Sequence, residues 1–251
     1  MTLTALITGA TSGIGLATAR TFARNGIDLV LCGRRQERLD ALAAELGALV
    51  RVHTLNFDVR DADDTAAKIA SLPESFRQID ILVNNAGNAY GLMPIQEGEI
   101  ADWDAMIDIN VKGLLYVSKA VIPQMVERKR GHIINIGSLA GQEVYPNGNV
   151  YCASKFAVDA LTKGMRIDLN QHNIKVTSIN PGMVETEFSV VRFKGDTERA
   201  KNVYRGMTPL TAEDVADVIW FAASRPAHVN VAEVLLLPTA QANSTIVKRE
   251  G

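Results

Sequence analysis

The chain has 251 residues, a formal net charge of −2, 47% hydrophobic and 22% charged residues, which fits one large α/β domain and excludes disordered, collagenous or coiled-coil architectures. That charge balance gives nucleic acid or an anionic membrane no electrostatic reason to bind. Two distant cysteines (Cys32, Cys152), four histidines without metal-ligand spacing, no apolar run near the ~20 residues of a membrane span and no leader-like N-terminus predict reduced, buried thiols, no metal, no membrane span and a cytoplasmic location.

The first predicted strand, Leu3 to Thr8, runs into Gly9-Ala10-Thr11-Ser12-Gly13-Ile14-Gly15, a Gly-x-x-x-Gly-x-Gly turn that opens a helix predicted over Gly13 to Asn25. Glycine lets the backbone turn tightly and approach a pyrophosphate, whose charge the helix N-terminus stabilises. Alone, such a turn is as often plain strand-to-helix packing. After the first strand of a βαβ unit it reads as a dinucleotide cradle.

A second strand, Asp28 to Gly33, ends at Arg34-Arg35, before a helix predicted over Gln36 to Leu46. An NAD-binding fold would place a carboxylate here for the ribose 2′-hydroxyl, whereas guanidiniums suit the 2′-phosphate of NADP. In isolation these would be two solvated arginines; downstream of the glycine turn they favour NADP.

Strands follow at Val50 to Leu55 and Asp80 to Asn84, separated by a helix at Ala62 to Ser71. One long helix is predicted over Trp103 to Arg128, kinked late by Pro123. Asn110 is a polar residue on its otherwise apolar pattern. A buried amide needs partners, so Asn110 either supports a water relay to Lys155 or caps neighbouring backbone.

The fifth strand, His132 to Ile136, leads to Ser138, and strand carboxyl ends line the ligand crevice of an open parallel sheet. The next helix, Tyr151 to Gln171, opens with Tyr151 and Lys155 four residues apart on one face. Hydride transfer at a carbinol needs a group to exchange the hydroxyl proton. A tyrosine with pKa ~10 suits that task at neutral pH only if an adjacent ammonium and an oxidised nicotinamide lower it; the Ser138 hydroxyl would orient the substrate oxygen.

The sixth strand, Ile174 to Ile179, precedes Pro181-Gly182, and the least regular stretch, Glu187 to Pro209, is expected to be a mobile substrate loop. A helix at Thr211 to Ser224 and a strand at Glu233 to Leu237 complete the alternation. The expected fold is α/β: a single Rossmann-type doubly wound domain spanning residues 1–251, with a seven-stranded, mainly parallel sheet and helices on both faces.

Thr8-Gly9-x-x-x-Gly13-x-Gly15, Asn84-Asn85-Ala86-Gly87, Asn110, Ser138, Tyr151-x-x-x-Lys155 and Pro181-Gly182 occur in the order and spacing of the short-chain dehydrogenase/reductase superfamily, which the chain resembles over essentially its whole length. The resemblance implies a catalytic tetrad of Asn110, Ser138, Tyr151 and Lys155. It implies cofactor contacts from Gly9, Thr11, Ser12, Gly13, Ile14 and Gly15, from Asp58 and Val59 at the adenine, from Asn85, Ala86 and Gly87, and from Pro181, Gly182, Val184 and Thr186 around the nicotinamide. A homotetramer is also implied.

Gly33-Arg34-Arg35-Gln36-Glu37-Arg38-Leu39, Gly148-Asn149-Val150-Tyr151, Val191-Arg192-Phe193-Lys194-Gly195-Asp196 and Pro226-Ala227-His228-Val229-Asn230 most resemble bacterial NADP-dependent 3-hydroxy acid dehydrogenases. That implies hydride exchange at the 3-hydroxyl or 3-oxo carbon of a small acid such as serine, allo-threonine or 3-hydroxypropionate. With Ser138 and Tyr151 at the reacting oxygen, Arg192 is a candidate for binding the acid's carboxylate. The alternative is a surface arginine paired with Glu187 or Asp196. A 3-oxoacyl carrier-protein reductase or other carbonyl reductase would share the tetrad, whereas a non-catalytic NADP-binding sensor would be expected to have lost it.

Overall fold

The computed structural model describes residues 2–250. Seven strands form one sheet in the order β3-β2-β1-β4-β5-β6-β7, every neighbouring pair parallel. They are β1 (Thr4–Thr8), β2 (Asp28–Gly33), β3 (Val52–Asn56), β4 (Ile81–Asn84), β5 (Gly131–Ile136), β6 (Ile174–Pro181) and β7 (Glu233–Leu236). All seven expected strands are present; β3 starts two residues late because Val50 still closes the turn after the preceding helix, through a bond to Leu46 O.

Alternation in the strands divides the core into two layers. Ala5 and Ile7 of β1 face helices α1 (Gly13–Arg24), α2 (Gln36–Leu46) and α9 (Ala212–Ala223), while Leu6 faces α3 (Ala62–Ala70) and α5 (Leu114–Arg128). Strands covered on both sides need apolar residues at consecutive positions, and all five residues of β1 are buried. Cys32 and Cys152 are buried free thiols, as expected.

Two elements depart from expectation. The predicted helix Trp103 to Arg128 is three segments: α4 (Ile100–Ile107), a π-helical turn (Asp108–Gly113) and α5, which accommodates Pro123 and still reaches Arg128. The π turn admits an extra residue, and Asn110 within it is only 2% exposed. The charged stretch after β6 is also more regular than expected. It contains α7 (Glu187–Arg192), capped by Thr186, and α8 (Thr197–Asn202), capped by Asp196.

The remaining long helix, α6 (Asn149–Leu169), lies over β5 and β6. Buried amides link it through the sheet to α5: Asn135 Nδ2 donates to Thr162 Oγ1 of α6 at 2.9 Å, and Asn84 Nδ2 donates to Asn135 Oδ1 at 2.9 Å and to Ser118 Oγ of α5 at 3.0 Å. Asn84 therefore belongs to the scaffold beneath the cleft. No helix among the described residues is long and apolar enough to cross a membrane.

Candidate active site

The strand order reverses between β1 and β4, and the carboxyl ends of the strands there open into a cleft of about 480 Å³, a size suited to a small-molecule ligand. Gly9 and Gly13 adopt φ of +66° and +51°, where L side chains are strained. A Cβ on Gly9 would stand 2.9 Å from Asn85 Nδ2 and 3.1 Å from Ala86 Cα. Ser12, the N-cap of α1, makes no capping bond with its side chain, and the first turn of α1 carries no acidic residue. That leaves a helix N-terminus suited to an anion.

The cradle is braced by Thr8, whose Oγ1 accepts from the backbone N–H of both Asn85 and Ala86 at 3.0 Å. Asn85 Nδ2 returns a bond to Thr8 O at 2.9 Å. Asn85 thus ties the glycine turn to the end of β4. Gly15 is closed in by Gly9 O and Asn85, so it packs the cradle from behind; Thr11, Ser12 and Ile14 face the cleft with Gly9 and Gly13.

At the end of β2, Arg34 Nη1 lies 3.6 Å from Asp58 Oδ2, and Arg60 holds the same carboxylate at 2.6 Å. Burial opposes ionisation of Asp58, but its bonds from Arg60 win and hold its carboxyl below the usual range. Val59 is buried against Gly113 of the π turn. Arg35 donates to Thr11 Oγ1 from Nε at 3.1 Å and from Nη2 at 3.0 Å. Arg38, one helical turn on, reaches the same wall, with Nη1 3.5 Å from Thr11 O. Arg38 was missed in the sequence reading, although its i, i+3 spacing from Arg35 was there to be read.

The reactive end gathers Ser138, Tyr151 and Lys155. Lys155 Nζ donates to Ile136 O at 2.9 Å and stands 6.0 Å from the Tyr151 ring centroid. Burial lowers Lys155 to about 8. Burial also raises Tyr151; a hydrogen bond from Ser138 and the Arg192 charge only partly oppose it. The lowering expected of Tyr151 depends on an oxidised nicotinamide as well as the ammonium; the protein groups by themselves raise it through burial, and Lys155 Nζ is directed to the end of β5.

Asn110 resolves toward backbone capping in its direct contacts. Its Oδ1 accepts from Asn88 N and its Nδ2 donates to Asn88 O, both at 2.8 Å, and Nδ2 also reaches Ser154 Oγ at 2.9 Å. Gly87 backs onto Asn110 and Lys155. Pro181, the last residue of β6, offers its carbonyl to Ser138 Oγ at 3.5 Å, and Gly182, Val184 and Thr186 continue the wall.

The segment after Thr186 folds over this end. Phe188 packs edge-on against Tyr151, with centroids 5.6 Å apart at 60°. Arg192 does not pair with Glu187 or Asp196: Glu187 bonds Arg35 and Arg38, and Asp196 caps α8. Instead Arg192 Nε donates to Gly91 O at 3.1 Å, and its guanidinium carbon lies 5.6 Å from the Tyr151 ring centroid and 5.5 Å from that of Tyr145. Among the described residues it makes no ion pair, which leaves a half-buried cation beside the candidate acid. Tyr145, Asn88, Tyr204 and Ser244 also line the cleft; the sequence carried no fixed pattern at those positions.

A family model described as short chain dehydrogenase matches residues 3–196. The chain is 51% identical over 238 residues to a protein of Chromohalobacter salexigens named sulfoacetaldehyde reductase 2, covering 94% of each. It is 50% identical over 237 residues to an NADP-dependent 3-hydroxy acid dehydrogenase of Salmonella typhi, covering 94% of this chain and 95% of that one. Among solved structures, the closed form of serine dehydrogenase complexed with NADP+ matches with a TM-score of 0.93 at 44% identity, covering 99% of this chain and 100% of that chain.

Proposed function

The chain belongs to the short-chain dehydrogenase family, and from that premise we propose that it is an NADP-dependent oxidoreductase exchanging a hydride at the 3-hydroxyl or 3-oxo carbon of a small 3-hydroxy acid. The observation that carries this reading is that one cleft holds the Tyr151 and Ser138 hydroxyls together with the Arg192 guanidinium, which makes no ion pair among the described residues. One end of such a substrate is an anion and the other a carbonyl or carbinol. The names of the 3-hydroxy acid and serine dehydrogenase relatives support it.

The cradle fits the cofactor: Gly9 and Gly13 leave room for a backbone approach, the α1 N-terminus would hold a diphosphate, and Arg34 and Arg35 in the lining, with Arg38 one turn behind Arg35, would suit a 2′-phosphate. Bound NADP or NADPH supplies the hydride acceptor or donor. The protein's own groups handle the proton. In reduction, Tyr151 starts as a neutral phenol and gives its proton to the carbonyl oxygen, which Ser138 orients. Lys155 keeps a positive charge near the phenolate that results, and Asn110 fixes the Asn88 backbone beside them.

A sulfonate in place of the carboxylate is the second reading, favoured by the relative named sulfoacetaldehyde reductase 2, since a guanidinium binds either anion. The carrier-protein reductase and sensor alternatives gain nothing from these relatives. A panel of L-serine, allo-threonine, 3-hydroxypropionate, 3-hydroxyisobutyrate, 2-hydroxyethanesulfonate and uncharged alcohols, followed by nicotinamide absorbance with NADP, tests the class. Turnover of uncharged alcohols matching that of the acids would overturn it.

Cofactor choice has its own test. Arg35→Ala is expected to weaken NADP binding by at least about tenfold, or ~1.4 kcal/mol, and to leave NAD nearly unchanged, because NAD lacks the 2′-phosphate. Equal losses for both cofactors in titrations would remove the assignment.

The reading takes residues 1–251 as one dinucleotide-binding and catalytic unit with a mobile substrate loop at 187–209, working in the cytoplasm as a homotetramer. Apolar residues left exposed on α5 and α6, Leu115, Phe156 and Ile167, support pairing of these helices between copies in a closed D2 arrangement. Light scattering is expected to give four times 27.2 kDa; a mass of one chain would end the idea.

A further inference from the structure

Glu187, the first residue of α7, is bound where the proposed reaction has no need of a carboxylate. Arg35 Nη1 donates to its Oε2 at 2.9 Å and Arg38 Nη1 to its Oε1 at 2.7 Å. The remaining Arg35 nitrogens are turned onto Thr11. The two guanidiniums converge on one carboxylate across about 150 residues of sequence, joining the glycine turn, the start of α2 and the start of the substrate loop. Asp58, the other carboxylate in this wall, is already taken by Arg60 and Arg34. Although burial opposes it, the bonds from Arg35 and Arg38 hold the Glu187 carboxyl below its ordinary range, so it is ionised at neutral pH.

We propose that Glu187 is an internal stand-in for the 2′-phosphate: its carboxylate neutralises Arg35 and Arg38 until the phosphate displaces it, and that displacement unfastens α7 from the cofactor wall. The inference rests on the NADP reading of the arginine cluster. A carboxylate brings one charge and two acceptor oxygens, whereas a phosphate monoester brings nearly two charges and three. The phosphate is the stronger partner for guanidiniums, and its charge repels a carboxylate left beside it. A cofactor with a plain ribose hydroxyl brings no charge to displace Glu187, so the clasp stays closed. The 2′-phosphate thereby does two things at one place: it selects the cofactor and releases the first turn of the loop that carries Phe188 and Arg192 over Tyr151.

Two probes that differ only by the 2′-phosphate, 2′,5′-ADP and 5′-AMP, separate the possibilities in binding titrations. The three side chains are 40–49% exposed, so the clasp is weak, and Glu187→Gln is expected to tighten 2′,5′-ADP about three- to tenfold while leaving 5′-AMP unchanged. In the wild type, amide hydrogen exchange over residues 187–193 is expected to quicken with 2′,5′-ADP and not with 5′-AMP; in Glu187→Gln it should be fast throughout. Unchanged or weakened 2′,5′-ADP binding in Glu187→Gln would overturn the proposal, weakened binding marking Glu187 as a strut that positions Arg35. So would wild-type exchange that ignores the phosphate. A wild type that binds 2′,5′-ADP no better than 5′-AMP would overturn the NADP reading itself, and the proposal with it.

Discussion

Tyr151→Phe is expected to lower kcat for carbonyl reduction by about 10²–10⁴, the usual contribution of a positioned general acid, while NADP affinity stays near that of the wild type. The ring would keep its seat. Tyr151 is 8% exposed, stacked edge-on against Phe188 and covered by the Arg192 guanidinium; none of these contacts needs the hydroxyl. What the substitution removes is the phenolic hydroxyl, with its proton, at the reacting end of the cleft that Ser138 also lines.

The pH profile should carry a second signature of the same site. Burial lowers Lys155 to about 8 and raises Tyr151 above its ordinary value, so as pH rises through 8 the ammonium is lost while the phenol keeps its proton. Reduction should therefore fall on the alkaline side through loss of the charge that stabilises the nascent phenolate, and Lys155→Met should be slow and lack that limb. Residual turnover above a tenth of wild type in Tyr151→Phe, measured by steady-state kinetics with both cofactor directions, would remove Tyr151 from the proton path.

How far the sequence reached depended on the range of the interactions. The strands were legible because a two-sided sheet demands consecutive apolar residues, as in Leu6-Ile7 and Leu29-Val30-Leu31. The glycine turn was legible because positive φ at Gly9 and Gly13 restricts the residue type. Ser138, Tyr151 and Lys155 were placed by strand-end and helix-face arguments, and they do meet in one cleft.

The π turn at Asp108–Gly113 was not legible, because one extra residue in a helical turn leaves the apolar pattern nearly intact. Nor was the Glu187 clasp: it joins segments about 150 residues apart, and nothing local to Arg35 or Arg38 names that partner. The direction in which the protein groups alone push Tyr151 was hidden for a related reason. Spacing put an ammonium nearby, but only the fold directs Lys155 Nζ to Ile136 O and buries the phenol. In the loop, Thr186 and Asp196 were available as helix caps, yet six-residue helices are too short to carry a clear apolar period.

Arg192→Leu is expected to raise KM for 3-hydroxy acids steeply and to cost about 2–4 kcal/mol in kcat/KM, the scale for truncating one partner of a buried charge pair, while uncharged carbonyls lose little. The reason lies in how the guanidinium is held. Its Nε is spent on Gly91 O, and the Arg192 carbonyl accepts from Gly91 N at 3.0 Å, so the backbone at this end of α7 stays fastened when the side chain is shortened. Tyr145 and Tyr151 flank the carbon of the guanidinium, which leaves its terminal nitrogens for an anion beside the reacting hydroxyls. Fixing the acid at that end limits which carbon stands at Tyr151, and this is how a charge contact becomes regiochemistry. Arg192→Lys retains the charge without the planar fork, and is expected to recover only part of the loss if binding is bidentate. Parallel losses on acids and neutral carbonyls would show instead that Arg192 acts by holding the loop on Gly91, and the anion site would then have to involve a different cleft residue.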